Sequence, residues 1–191
     1  MPAAEQAQQT PKAARSIIRP GSSGESPRFQ QLPESPQPFR TVDDSRVQMT
    51  EIVLPEDSNP RGSVFGGRVL ALIDKCAAIC AMRHARREVA TVALDSVVFL
   101  SRVRVGDILA LGGRLNAVFN SSMEVEVEVH AEDPATGERK LTTRALVTLV
   151  AIDDAGRPRA APPLERLTGE QRQRADEAAR RRRARLAARA P

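Results

Sequence analysis

The 191-residue sequence contains no run approaching the ~20 consecutive apolar residues of a membrane-spanning helix, so no membrane partner is expected. Its N-terminus lacks the basic, apolar and small-residue succession of a secretory signal. Lys12, Arg15 and Arg19 around Ile17 and Ile18 have some character of an organelle-targeting peptide, but Glu5, Glu25 and Glu34 argue against one. A cytoplasmic location is expected. There are only two cysteines, Cys76 and Cys80, four apart in a helical pattern. Thiols one helical turn apart rarely match disulfide geometry, and no His lies close in sequence to complete a metal site. They read as small buried core residues, and neither a metal nor a cofactor is expected. A G-x-S-x-G elbow and an HExxH pair are both missing, which removes the usual serine-hydrolase and zinc-protease signatures. The two histidines, His84 and His130, share no partner; His84 ends a helical pattern, where a cation is favoured, and reads as structural.

Charge is unevenly distributed. The net charge is +5, and the segment from Glu170 to Pro191, with eight arginines against three acids, accounts for all of it. The remainder is neutral, whereas a nucleic-acid-binding core carries its own basic surface. The 41% hydrophobic content suits a globular domain. Residues 1–45, rich in Pro, Gln, Ser and Ala without apolar period, read as a disordered extension.

Within the core, "RVQMTEIVL" (46–54) has strand character and "PEDSNPRGS" (55–63) is a loop. From Gly66 to about Arg83, Val69, Ile73, Cys76 and Cys80 recur at helical spacing, and apolar residues fill most other directions. A helix apolar nearly all round is wrapped by other elements. Strand patterns appear next at 89–100, 107–119, 123–131 and 140–152, with Gly112-Gly113 a candidate bend or bulge. In "MEVEVEVHA", Met123, Val125, Val127 and Val129 are expected inward and Glu124, Glu126 and Glu128 outward. Short polar links imply antiparallel neighbours. One buried helix against one curled antiparallel sheet covers both apolar surfaces most simply. The arginine-rich end suits a polar helix, docked or free.

Asp74 stands out. It interrupts the apolar helix, and its helical neighbours Leu70, Ala71, Ala77 and Ala78 cannot pair with its charge. A carboxylate there needs donors from elsewhere; the competing reading leaves it exposed or bonded to a nearby loop. "GSVFGGR" (62–68) leads into the same helix. Backbone N–H groups at a helix start are unpaired and can stabilise an oxyanion, and Gly66 and Gly67 have no Cβ to obstruct approach. A glycine pair serving only close packing is the alternative. Asp74 lies two turns on, on the order of 10 Å away. Because a thiol leaves with a pKa near ~8.5, hydrolysis of a thioester needs no strong general acid, so one carboxylate and an oxyanion site suffice.

"NPRGSVFGGRVLALIDKCAAICAMRHA", followed by "VATVALDSVVFL", "RVGDILALGGRL", "SSMEVEVEV" and "LTTRALVTLVAID", resembles the acyl-CoA thioesterases of the hotdog superfamily, in the YciA and cytosolic acyl-CoA hydrolase branch. The resemblance covers roughly residues 46–165. It implies an α+β fold: a single hotdog domain at 46–165, with a long central helix wrapped by a five-stranded antiparallel sheet. A disordered extension (1–45) would precede it and a basic C-terminal helix or tail (166–191) would come after it. It implies a homodimer, in many members a trimer of dimers, and an acyl-CoA substrate with no separate cofactor. Asp74 matches the family's catalytic carboxylate, acting as base or nucleophile, and the N–H of Gly67 the oxyanion donor. Phe65 and Gly66 fall at the substrate carbonyl, and Asn59 matches a family loop Asn. Ser63 stands where some relatives have a catalytic Asn, a departure that leaves water positioning to Ser63 or Asn59. Ser121 and Ser122 match a loop near bound coenzyme A.

A non-catalytic reading is an acyl-CoA-sensing hotdog module whose Arg-rich tail touches nucleic acid. Against it stand the intact Asp74, the absence of a helix-turn-helix segment before the domain and a tail without aromatics for base stacking. The tail is better read as a solvated, partly frayed helix, and nucleic acid is not an expected partner. A hotdog dehydratase is a weaker option, since no His in the helix suits that chemistry.

Overall fold

The computed structural model describes residues 39–188; the expectation of disorder up to residue 38 lies outside the described residues. The elements run in the order anticipated, one strand, one helix, then four strands. They are β2 (Val47–Ile52), α1 (Gly66–Ala85), β3 (Val89–Phe99), β4 (Ile108–Val118), β5 (Ser122–Glu132) and β6 (Arg139–Ala151). The five strands form one antiparallel sheet in the order β2-β4-β5-β6-β3, which leaves β2 and β3 at the edges.

One face of the sheet packs on α1. Met123, Val125, Val127 and Val129 of β5 are fully buried there, as are Ile73, Cys76, Ala77, Cys80 and Ala81 of α1. Burial of each large aliphatic side chain contributes about 1.5–3 kcal/mol, so apolar contact alone accounts for this helix. Desolvation pushes the Cys76 thiol up to about 11 and Cys80 to about 12, in keeping with inert core residues.

Three expectations need correction. The folded part starts before residue 46: β1 (Arg40–Thr41) pairs in parallel with β7 (Leu164–Glu165), and Val42 and Ser45 are buried. The Gly112-Gly113 pair is neither bend nor bulge. Both residues pair in regular register with β2 and β5, and the β4 irregularity falls between Leu115 and Ala117. Gly113 is required for packing, since a Cβ there would sit 2.9 Å from Cys76 Sγ. His84 is structural, as the sequence suggests: it is fully buried, its Nε2 donates to the Pro162 carbonyl at 2.8 Å because a carbonyl only accepts, and burial lowers its pKa.

The third correction concerns the outer face. Glu124 and Glu126 do point away from α1, but they are 2% and 4% exposed, because α2 (Gly169–Ala187) lies over them. Thr168 caps that helix in a reciprocal pair with Gln171. Arg181 grips Glu124 through two bonds of 3.1 and 2.6 Å, supported by Asn116 Nδ2 at 3.0 Å. Arg174 donates to Glu126 at 2.7 Å, and Arg114 lies 3.2 Å from the same carboxylate. Arg185 pairs with Asp95 of β3. These arginines neutralise buried carboxylates, so they do not belong to a solvated, fraying helix. Among the described residues the apolar cluster here is Ala175 and Ala178 with Ala117 and Phe119, and Arg182 stacks 4.8 Å over the Phe119 ring. Among the described residues no helix is long and apolar enough to cross a membrane.

Candidate active site

The loop before α1 is folded around Asn59. Its Oδ1 accepts from the backbone N–H of Arg61 at 2.9 Å and Ser63 at 3.4 Å, while its own N–H donates to the Ser63 carbonyl at 2.8 Å. Gly62, at φ 71°, takes the left-handed conformation that closes this turn. Arg68 holds the loop to the helix start through Glu51 at 2.8 Å and Asp57 at 2.9 Å.

The helix begins without a side-chain cap. Phe65 occupies the N-cap position and supplies none; the first intrahelical bonds are those of Arg68 and Val69 N–H to its carbonyl. The N–H groups of Gly66 and Gly67 therefore have no intrahelical acceptor. A Cβ on Gly67 would fall 2.7 Å from the Phe65 ring, whereas one on Gly66 would meet Phe99 at 3.6 Å, an ordinary van der Waals distance, so packing does not require glycine there. A cavity of about 260 Å³ opens beside this helix start, lined by Asn59, Arg61, Ser63, Val64, Gly66, Val69, Phe99, Ser101, Arg102, Val103 and Thr143.

Asp74 is half-buried on α1 and does not line that cavity. Its Oδ1 accepts a 2.7 Å bond from Thr91 Oγ1, near the start of β3. Among the described residues it has no ion-pair partner. The carboxylate is thus neither bonded to a loop nor neutralised; it is oriented by one hydroxyl and keeps acceptor capacity.

Of the expected site residues, Asn59, Ser63 and Gly66 come together around the cavity, with Gly67 next along the helix. Phe65 is 62% exposed, its ring beside the exposed Gly67. Ser121 and Ser122 lie at the turn between β4 and β5, where the Ser121 carbonyl accepts from Ala151 and Ser122 opens β5 opposite Val150; neither lines the cavity. Sequence reading missed Thr91. A threonine in a β-branched run looks like a strand former, and only the pairing of β3 onto the sheet brings it to Asp74. Among the described residues, no group of three potential ligands could hold a metal ion.

Residues 61–138 match the model of the thioesterase superfamily. A Bacillus subtilis protein described as an uncharacterized acyl-CoA thioester hydrolase, YkhA, is 41% identical over 125 residues, covering 65% of this chain and 72% of its own. The chain belongs to the acyl-CoA thioester hydrolase family. Solved structures agree with this membership and with the hotdog fold. A hexameric acyl-CoA thioesterase in its apo state superposes with a TM-score of 0.74 at 43% identity, covering 78% of this chain and 95% of that one. The Staphylococcus aureus acyl-CoA hydrolase, solved with butyryl coenzyme A and coenzyme A, gives 0.73 at 34% identity over 80% of this chain and 93% of its own. Variants of that hydrolase with alanine at an Asp, an Asn and a Thr are similar thioester hydrolase structures.

Proposed function

We propose that this protein hydrolyses acyl-CoA to a free carboxylic acid and coenzyme A, with Asp74 as the reacting carboxylate. The observation that carries the proposal is the half-buried Asp74, bonded to Thr91 at 2.7 Å and, among the described residues, without an ion-pair partner. The positions altered in the Staphylococcus aureus hydrolase support it. There the Asn precedes the Asp by fifteen residues and the Thr comes seventeen after it. Asn59, Asp74 and Thr91 have the same two spacings.

In the proposed reaction the thioester carbonyl accepts from the free N–H groups at the start of α1, Gly67 above all, where positive dipole and donors favour a developing oxyanion. Thr91 holds the Asp74 carboxylate in one orientation. Asp74 then takes a proton from attacking water, with Asn59 or Ser63 positioning that water, or attacks the carbonyl itself to form a mixed anhydride that water hydrolyses after the thiolate has left. The tetrahedral intermediate collapses by expelling coenzyme A as thiolate, a leaving group that needs little acid assistance.

A second copy of the chain completes this arrangement. Edge strand β3 exposes Val92, Leu94, Val98 and Phe99, between 41% and 51% each, an apolar edge suited to pairing with another sheet. Since Asp74 lies outside the cavity of its own chain, the pairing would bring one copy's carboxylate toward the other's helix start.

Thiol release from straight-chain acyl-CoAs of increasing length tests the activity and yields the chain-length preference. Asp74→Asn and Asp74→Ala are expected to lose on the order of 10² or more in kcat. Near-normal turnover in both would remove Asp74 from the mechanism.

A further inference from the structure

Strand β3 is bulged twice, and the bulges separate two jobs. Thr91 pairs with Leu149 but Ala93 with Thr148, so Val92 is an extra residue; Leu94 pairs with Val147 but Ser96 with Leu146, so Asp95 is a second. In a regular strand Thr91 and Asp95, an even number of positions apart, would face the same side of the sheet. They face opposite sides. Thr91 reaches Asp74 on α1, and Asp95 reaches Arg185 on α2. The extra residue between them reverses the alternation, because each insertion moves the later residues of the strand to the other face.

Val92 and Asp95 are left unpaired in the ladder to β6, so side-chain contacts add to what holds each bulge. Asp95 has two. Thr148 of β6, 3% exposed, donates to its Oδ2 at 2.8 Å, and the Arg185 guanidinium pairs with the same oxygen. The side chains of Arg185 and Asp95 are only 16% and 14% exposed, so the contact is little screened. Shifting β3 by one residue would carry Thr91 off the α1 face and leave Asp74 without its donor.

We propose that Asp95, held by Arg185 and Thr148, is a positioning residue for the reaction: it fixes the bulged register of β3 that presents Thr91 to Asp74. The C-terminal helix thus takes part in building a site on the far side of the sheet. The inference rests on the hydrolase reading and on Asp74 as the reacting group.

The test is steady-state kinetics with butyryl-CoA on the full chain, for Asp95→Ala, Arg185→Gln and Thr148→Val, each alone and in a Thr91→Val background. Alone, Asp95→Ala and Arg185→Gln are expected to lower kcat on the order of tenfold, the scale of a small misplacement in the site, with KM changed less than about twofold. In the Thr91→Val background the same substitutions should change kcat less than about twofold, because the group they position is gone. Thr148→Val should fall between wild type and Asp95→Ala. If Asp95→Ala does not fold, Arg185→Gln decides. Unchanged kcat in folded single variants overturns the inference, and so does a tenfold loss that persists without the Thr91 hydroxyl, since that would mark a role in stability alone. Absence of thiol release by the wild-type chain from any acyl-CoA would instead overturn the hydrolase reading itself.

Discussion

The two long helices are of nearly equal length, 20 residues for α1 and 19 for α2, yet they are held to the same sheet by opposite means. On α1 the contacting residues are Val69, Leu72, Ile73, Cys76 and Cys80, all buried in one apolar cluster with the strands. On α2 they are chiefly Arg174, Arg181 and Arg185, each docked on a carboxylate of the outer face. Apolar contact is non-directional and tolerates small shifts. Arginine–carboxylate forks fix position and angle, yet gain little net energy once desolvation is counted. The sheet is therefore stabilised from one side and held in register from the other, and the one carboxylate of α1, Asp74, is conspicuous for that reason.

Substitutions can break or sharpen this contrast. The largest effect is expected on the apolar side: Leu72→Ala should cost about 2–5 kcal/mol in denaturant unfolding, with little dependence on salt. Next is Arg181→Ala, expected to cost about 3 kcal/mol because it strands the Glu124 carboxylate. Replacing both partners, Arg181→Leu with Glu124→Leu, should recover most of that loss. If the double substitution were no better than the single one, the seam would be a net source of stability and the contrast would fail. His84 should give a smaller, pH-dependent effect. Burial lowers its folded pKa below 6.5, so the unfolded chain binds the proton more readily. Its stabilising contribution is complete above pH 6.5 and is lost as pH falls toward the folded pKa. The thermal midpoint should drop over that window, and His84→Gln should flatten the drop. The smallest effect is expected for exposed Arg183: Arg183→Ala should shift stability by no more than about 0.5 kcal/mol.

Much of the inner half of the molecule was legible in the residues. Helical spacing from Val69 to Cys80 and strict alternation from Met123 to Val129 report burial directly, because each side chain's environment is set by its own period. Asp74 was legible for the same reason, as a charge set in an apolar frame. The outer half was not. Alternation assigns Glu124 and Glu126 to the far face but cannot say whether that face meets water, and the arginines that cover them lie about fifty residues later. Thr91 and Asp95 were hidden by the bulges: even spacing in β3 puts them on one face, and only the paired register reverses it. The same distance effect made residues 40–45 look unattached, since β1 finds its partner in β7, at the opposite end of the domain.

The buried thiols on α1 have a practical consequence. With values near 11 and 12 and no surface access, Cys76 and Cys80 stay protonated and shielded from alkylating reagents at neutral pH. A colorimetric thiol count on the native protein would then register only the coenzyme released. Slow labelling of the two sulfurs would clock the rate at which the central helix lifts from the sheet, a native-state opening gauge that needs no added dye.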